Sequence, residues 1–299
     1  MKSLNYLILF IFLFNCSFDN KSGIWDSSNN TISKNDNLFK DFKTLSIKKE
    51  SFKQTIDIKK NFQFILDKTI NNSEWKDIFF NKENNFSNFS YNDINKLRFR
   101  SKKLSRYELS DYLVSENKHI VTSDKKGNLI IFSLEKGKVV SKYNFYKNKY
   151  KNIKKILNYS IDKDIIYISD NLGYLYAFDI KNNKIIWAKD LKIPFRSNLK
   201  IIKGMIVVAS QNNNLFFFDK KGNQLALIPT EETIVKNQFI NNISSNDENL
   251  FFLNTYGSIY AIDNRNLKIK WFLNLNQSIN LNTSNQFLGS EIINHKKFV

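Results

Sequence analysis

Residues Ile165 to Leu191 read IIYISDNLGYLYAFDIKNNKIIWAKDL. Three runs rich in Ile, Tyr, Phe and Trp (165–168, 174–178 and 185–187) are separated by polar turns at 169–173 and 181–184. Short runs of β-branched and aromatic residues bounded by Asn, Asp and Gly are strands joined by hairpins. Gly and Asn suit such turns because they tolerate positive φ. The same phrase returns from His119, from Met205 and from Asn249. Anchored on Gly127, Gly173, Asn213 and Gly257, the copies are 46, 40 and 44 residues apart. A period near 40–45 residues with several strands per unit marks propeller blades. The predicted fold is all-β, a β-propeller of four-stranded blades.

The first two runs of each copy are nearly continuous in apolar residues, as expected of strands covered on both faces by neighbouring sheets. A single blade cannot bury its own faces, and radial stacking does. Trp187 and Trp271 occupy one slot of the repeat frame, where a large aromatic packs against the adjacent blade; ligand stacking is the alternative role. Ser141 and Leu227 fall at that slot in the other two copies, so weaker junctions are expected there.

The element Ala177-Phe178-Asp179, Asn182-Asn183-Lys184, Trp187 resembles the quinoprotein-type repeat, A-x-D-x-x-T-G-K-x-x-W. Ala261-Ile262-Asp263 with Lys268 and Trp271 matches it again, Phe218-Asp219 with Gly222-Asn223 matches in part, and the copy at Phe132 keeps Gly137-Lys138. The resemblance runs from about Leu113 to the C-terminus. Two families share this repeat: the quinone-dependent alcohol and glucose dehydrogenases, and the BamB family, the lipoprotein subunit of the outer-membrane β-barrel assembly machinery. It implies a ring of eight blades. Four copies, with an apparent strand opening at Asn294 to Val299, read as an incomplete ring truncated at its C-terminal side. In the BamB family a segment like Trp75 to Tyr91 supplies a strand to the last blade; Trp75 and Phe79 are expected to be packing residues.

Lys2 precedes the apolar stretch Leu4 to Phe14, and Cys16, the sole cysteine, follows it. A basic start with an apolar run this short is a signal peptide, since a spanning helix needs about 20 apolar residues. Leu13-Phe14-Asn15-Cys16 resembles a bacterial lipobox, although Phe14 and Asn15 stand where small residues are usual. The alternative is an unmodified cysteine in an ordinary secretory signal. Lipidation at Cys16, followed by Ser17 rather than Asp, implies an anchor on the periplasmic face of the outer membrane of a Gram-negative bacterium. The expected organisation is a signal peptide at 1–15, a polar tether at 16–60, a segment leading into the propeller at 61–112, and repeats over 113–299.

The net charge of +18 has two readings: a surface for polyanions, or compositional drift toward Lys and Asn. No nucleic-acid-binding motif is present. His119 and His295 have no partner at metal-ligand spacing, and no nucleophile elbow, P-loop or H-E-x-x-H pattern occurs. Asp179, Asp219 and Asp263 recur at the repeat turn, where a carboxylate accepts backbone N–H bonds. A lone cysteine cannot form the vicinal pair of the quinone dehydrogenases, so no cofactor, metal or small-molecule substrate is expected.

The connection Leu191 to Leu199 resembles the BamB-family loop that contacts a periplasmic domain of the barrel-inserting subunit. Ile193, Phe195 and Arg196 are the residues it nominates for partner binding, an aromatic beside Arg being hot-spot composition. The alternative has Pro194 shaping the linker and Phe195 packing inward. The expected function is a non-catalytic scaffold lipoprotein in outer-membrane barrel assembly. A periplasmic quinone-dependent dehydrogenase and a generic envelope polyanion-binding propeller are the alternatives.

Overall fold

The computed structural model describes residues 17–18, 25–26, 66, 68–71, 74–86, 88–90, 97, 100–147, 149–231, 241–275, 291–295 and 299. The chain divides into two units, Met1–Lys59 and Lys60–Val299. In the first, β1 (Ser17–Phe18) pairs antiparallel with β2 (Trp25–Asp26). The predicted signal peptide, Cys16 and most of the predicted tether lie outside the described residues.

In the second unit the described residues form four antiparallel four-stranded meanders. The first contains β3 (Val114–Glu116), β4 (His119–Ser123), β5 (Asn128–Ser133) and β6 (Lys138–Asn144). The second contains β7 (Leu157–Asp162), β8 (Ile165–Asp170), β9 (Tyr174–Asp179) and β10 (Lys184–Asp190). The third contains β11 (Lys200–Ile202), β12 (Met205–Ala209), β13 (Leu215–Phe218) and β14 (Gln224–Ile228). The fourth contains β15 (Asn242–Ser245), β16 (Asn249–Leu253), β17 (Ser258–Asp263) and β18 (Ile269–Asn274). The three runs read from each copy are the second to fourth strands. The leading strands β3, β11 and β15 have three or four residues and β7 has six, and leading strands of successive sheets are neighbours in space: β3 beside β7, β7 beside β11, β11 beside β15.

Alternation along each strand divides its side chains between two sheet faces. On β8, Ile166 and Ile168 join Val121, Leu129 and Ile131 of the first sheet, whereas Tyr167 joins Ile206, Val208 and Phe216 of the third. Between the third and fourth sheets, Val207, Leu215 and Phe217 meet Ile243, Leu250 and Phe252. Middle strands are therefore apolar on both faces, which explains their continuous hydrophobic runs.

The junction slot works as the repeat frame predicts, with one correction. Trp187 pairs across β10–β9 with Ala177 and donates its indole N–H to the carbonyl of Lys220, 2.9 Å away in the next sheet's outer hairpin. A Cβ at Gly222 would lie 2.9 Å from the Trp187 ring, and Gly222 has a φ of +86°; glycine is thus required there on two counts. In the first sheet Ser141 bonds Asn183 of the second sheet's hairpin. In the third sheet the slot belongs to Ala226, opposite Phe217, and not to Leu227, which pairs with Phe216 on the other face. The hairpin 219–223 is one residue shorter than its counterparts, and a one-residue slip reverses every subsequent side chain. Trp271, opposite Ala261, touches Phe251 but no further hairpin among the described residues, and it is 46 % exposed.

Candidate functional site

The leading strands would leave open edges, and residues 74–86 cover them. Trp75 exchanges two 2.7 Å backbone bonds with Ser115 of β3. The Lys76 carbonyl accepts from Ile161 of β7 at 2.8 Å, and the Lys82 carbonyl accepts from Ser245 of β15 at 2.8 Å. The Asn84 amide donates to Asn242 Oδ1, to the Ile243 carbonyl and to the Ile292 carbonyl. The BamB-family resemblance had this stretch extending a single sheet; among the described residues it crosses the leading strands of several. Trp75 and Phe79 pack against the core between the first two sheets, as expected of them.

At the third sheet the contact is made by a side chain. Lys200, wholly buried, donates to both carboxylate oxygens of Asp77 at 2.9 and 2.8 Å and to the Asn81 carbonyl at 2.5 Å. Asp77 Oδ1 also accepts the Phe79 N–H at 2.8 Å. Burial pushes the Asp77 carboxyl up, and the Lys200 charge opposes it. Burial likewise pushes Lys200 down, opposed by Asp77 and Glu291. Sequence reading passed over this pair. Its one signal was charge set within two otherwise apolar runs, Lys76 and Asp77 in WKDIFF and Lys200 at the start of β11.

The nominated docking loop is held down along its length. Phe195 N–H donates to the Asp170 carbonyl at 3.1 Å, Arg196 N–H to Ala209 at 3.0 Å, and Asn241 N–H to the Arg196 carbonyl at 2.6 Å. A Cβ at Gly173 would lie 2.9 Å from the Ile193 backbone nitrogen, so the loop rests directly on that turn. The structure places Phe195 in the core between the second and third sheets, 1 % exposed and edge-on to Phe216 at 6.2 Å. Ile193, Pro194 and Arg196 are half-buried. Desolvation pushes the Arg196 guanidinium down, and its Nε has no hydrogen-bond partner. The loop therefore holds Ile193 and Arg196 half-buried, with Phe195 packed into the core.

The recurrent aspartates close hairpins. Asp219 accepts the N–H groups of Lys221 and Asn223 at 2.9 and 2.8 Å, Asp179 accepts that of Asn182 at 3.0 Å, and Asp263 that of Arg265 at 2.7 Å. These backbone bonds hold all three carboxyls below the ordinary range. A depressed carboxyl contributes stability above its unfolded pKa and loses it as pH falls through the folded value. Asp219→Asn, which keeps an acceptor but does not titrate, is expected to reduce the acid sensitivity of unfolding below about pH 4, measured as midpoint against pH. Among the described residues no group of three or more His, Cys, Asp or Glu is placed to hold a metal ion.

Four-stranded meanders with their leading strands side by side, a Trp-to-hairpin contact between the second and third sheets, and aspartate-closed hairpins define a quinoprotein-like propeller-repeat protein. The sequence pattern of the family described as outer membrane protein assembly factor BamB matches residues 125–284. The chain belongs to that family. Among solved structures, BamB from Moraxella catarrhalis is similar at 13 % identity and a TM-score of 0.41, covering 54 % of this chain and 47 % of that one. Raptor from Chaetomium thermophilum is similar at 11 % identity and 0.42, covering 53 % and 15 %. The β-propeller domain of Cps50 (Swd1) from Myceliophteria thermophila is similar at 13 % identity and 0.42, covering 53 % and 52 %. The matches thus span about half or less of each of those chains. No curated protein matches the chain.

Proposed function

We propose that this protein is a non-catalytic scaffold that assists assembly of outer-membrane β-barrel proteins by binding a partner. The observation that carries the reading is the family match over residues 125–284, which spans most of the four sheets. In this reading Cys16 bears the lipid, the chain works on the periplasmic side of the outer membrane, and the partner is a periplasmic domain of the barrel-inserting subunit. The docking surface is the 191–199 connection. Arg196 meets the partner, Ile193 contributes apolar contact, and Phe195 holds the loop in position from below.

Photo-reactive side chains at Ile193 and Arg196, cross-linked in the native envelope, test this. The barrel-inserting subunit is expected as the main adduct at both positions. Arg196→Glu is expected to weaken its recovery at least tenfold, the loss typical of an interface hot spot, with the unfolding midpoint unchanged. Undiminished recovery with Arg196→Glu, or adducts only to unrelated proteins, defeats the proposal.

A further inference from the structure

The connection between the first and second sheets has a composition no other connection shares. Residues 146–156 read YKNKYKNIKKI, and the turn Lys125-Lys126 lies against them. Lys155 N–H donates to the Lys125 carbonyl at 3.0 Å, and Lys126 Nζ donates to the Lys151 carbonyl at 3.0 Å. The loop is a fixed platform. The Tyr146 hydroxyl donates to the buried Asp170 at 2.6 Å, Lys149 N–H bonds the Tyr146 carbonyl at 2.8 Å, and Ile153 N–H bonds the Tyr150 carbonyl at 3.1 Å. Lys155 is buried beneath, its ammonium bonded to the Tyr150 carbonyl and 5.5 Å from the Tyr146 ring centre.

Above this base stand Lys126, Lys147, Lys149, Lys151 and Lys154, all exposed. Among the described residues none of these five has a carboxylate partner; only neighbouring Lys125 does, at Glu108. Exposed apolar side chains alternate with them: Tyr150 at 40 %, Ile153 at 45 % and Ile156 at 39 %. The adjoining hollow of about 120 Å³ is lined by Glu108, Asp111 and Asp124 and equally by Lys125, Lys154 and Lys155. Its opposite charges balance, so the net cationic surface is the exposed platform itself.

We propose that this platform rests on an anionic bilayer surface, with its lysines at the phosphate headgroups and Tyr150, Ile153 and Ile156 at the boundary of the acyl region. Two physical points select a bilayer over an acidic protein. Lysine is depleted from protein–protein interfaces, where arginine is preferred, and this patch contains lysine alone. Lysines flanking exposed aliphatic and aromatic groups allow the apolar bodies to enter while the ammonium groups stay hydrated. Juxtaposed lysines are drawn to anionic lipid, and the attraction falls off within a Debye length.

The test uses the full chain with Cys16→Ser and Ile153→Cys, the new thiol bearing an environment-sensitive fluorophore. On phosphatidylcholine vesicles containing about a third phosphatidylglycerol, emission is expected to brighten and shift to the blue. It should do neither on phosphatidylcholine alone, and strong salt should reverse it. The same label at Leu225→Cys, on β14, is expected to stay water-like, which separates the platform from attachment through the N-terminus. Lys149→Glu, Lys151→Glu and Lys154→Glu together should weaken the response at least tenfold, given an attraction of roughly 1 kcal/mol per lysine near the surface. A label at 153 that stays water-like on anionic vesicles overturns the proposal. So does an equal response to soluble polyglutamate, which would assign the patch to an acidic protein.

Discussion

Asp77→Asn is expected to lower the unfolding free energy by about 3–5 kcal/mol, the usual cost of leaving one member of a buried ion pair uncompensated. The substitution keeps the side chain's shape and its acceptor for the Phe79 N–H. It removes the charge that opposes the desolvation of Lys200. Lys200→Met is expected to cost a similar amount by stranding Asp77. The two variants should differ in pH dependence. With Asp77 neutral, the Lys200 pKa falls further below 10.5 in the folded state. The unfolded chain then binds more protons between the folded value and 10.5, so stability rises with pH across that window. With Lys200 absent, the Asp77 pKa rises further above 3.8. The folded chain then binds more protons, so stability falls as pH climbs from 3.8 through the folded value. The double variant Asp77→Leu with Lys200→Met should regain most of the loss, because apolar replacement of a buried pair is often neutral. Urea unfolding of the four proteins across pH measures all of this. Equal, pH-independent losses in the single variants would show that the pair is not ionised.

Trp187→Ala is expected to cost about 2–3 kcal/mol, less than for a fully buried tryptophan because the ring is half-buried. The loss combines ring contact with Gly222 and Tyr167 and the indole bond to Lys220. Trp271 occupies the same frame position without a hairpin contact among the described residues, and Trp271→Ala should cost about 1 kcal/mol or less. Thermal and urea unfolding of the pair reads the difference. Similar losses would mean that the slot residue acts within its own sheet and not across the junction.

Both predictions show how unevenly the structure is written in the chain. The second to fourth strands of each sheet, their turns and the capping aspartates were all legible, because each depends on hydrogen bonds and side-chain alternation within about ten residues. Trp187 was legible for the same reason, since its slot follows from the repeat. The Leu227 assignment failed over a single residue. Spacing between copies does not reveal that one hairpin is shorter, and strand pairing turns that difference into a reversal of faces. Phe195 was legible only as a choice between a surface and a core position, because composition beside an arginine is the same in both cases. The alternative that packs it inward is the one its 1 % exposure matches.

The sequence by itself determined that this is a repeated all-β chain of the quinoprotein type, where the second to fourth strands of each sheet and their turns lie, and that Trp187 sits at a junction between sheets. Those properties are local, or recur at a constant interval, so a linear reading reaches them. Only the tertiary structure decided that residues 74–86 cover the leading strands, that Asp77 meets Lys200 across 123 positions, and that the lysines of two separate turns form one platform. Such contacts depend on which edges remain open once the sheets have stacked, and stacking brings together segments whose spacing along the chain carries no signal.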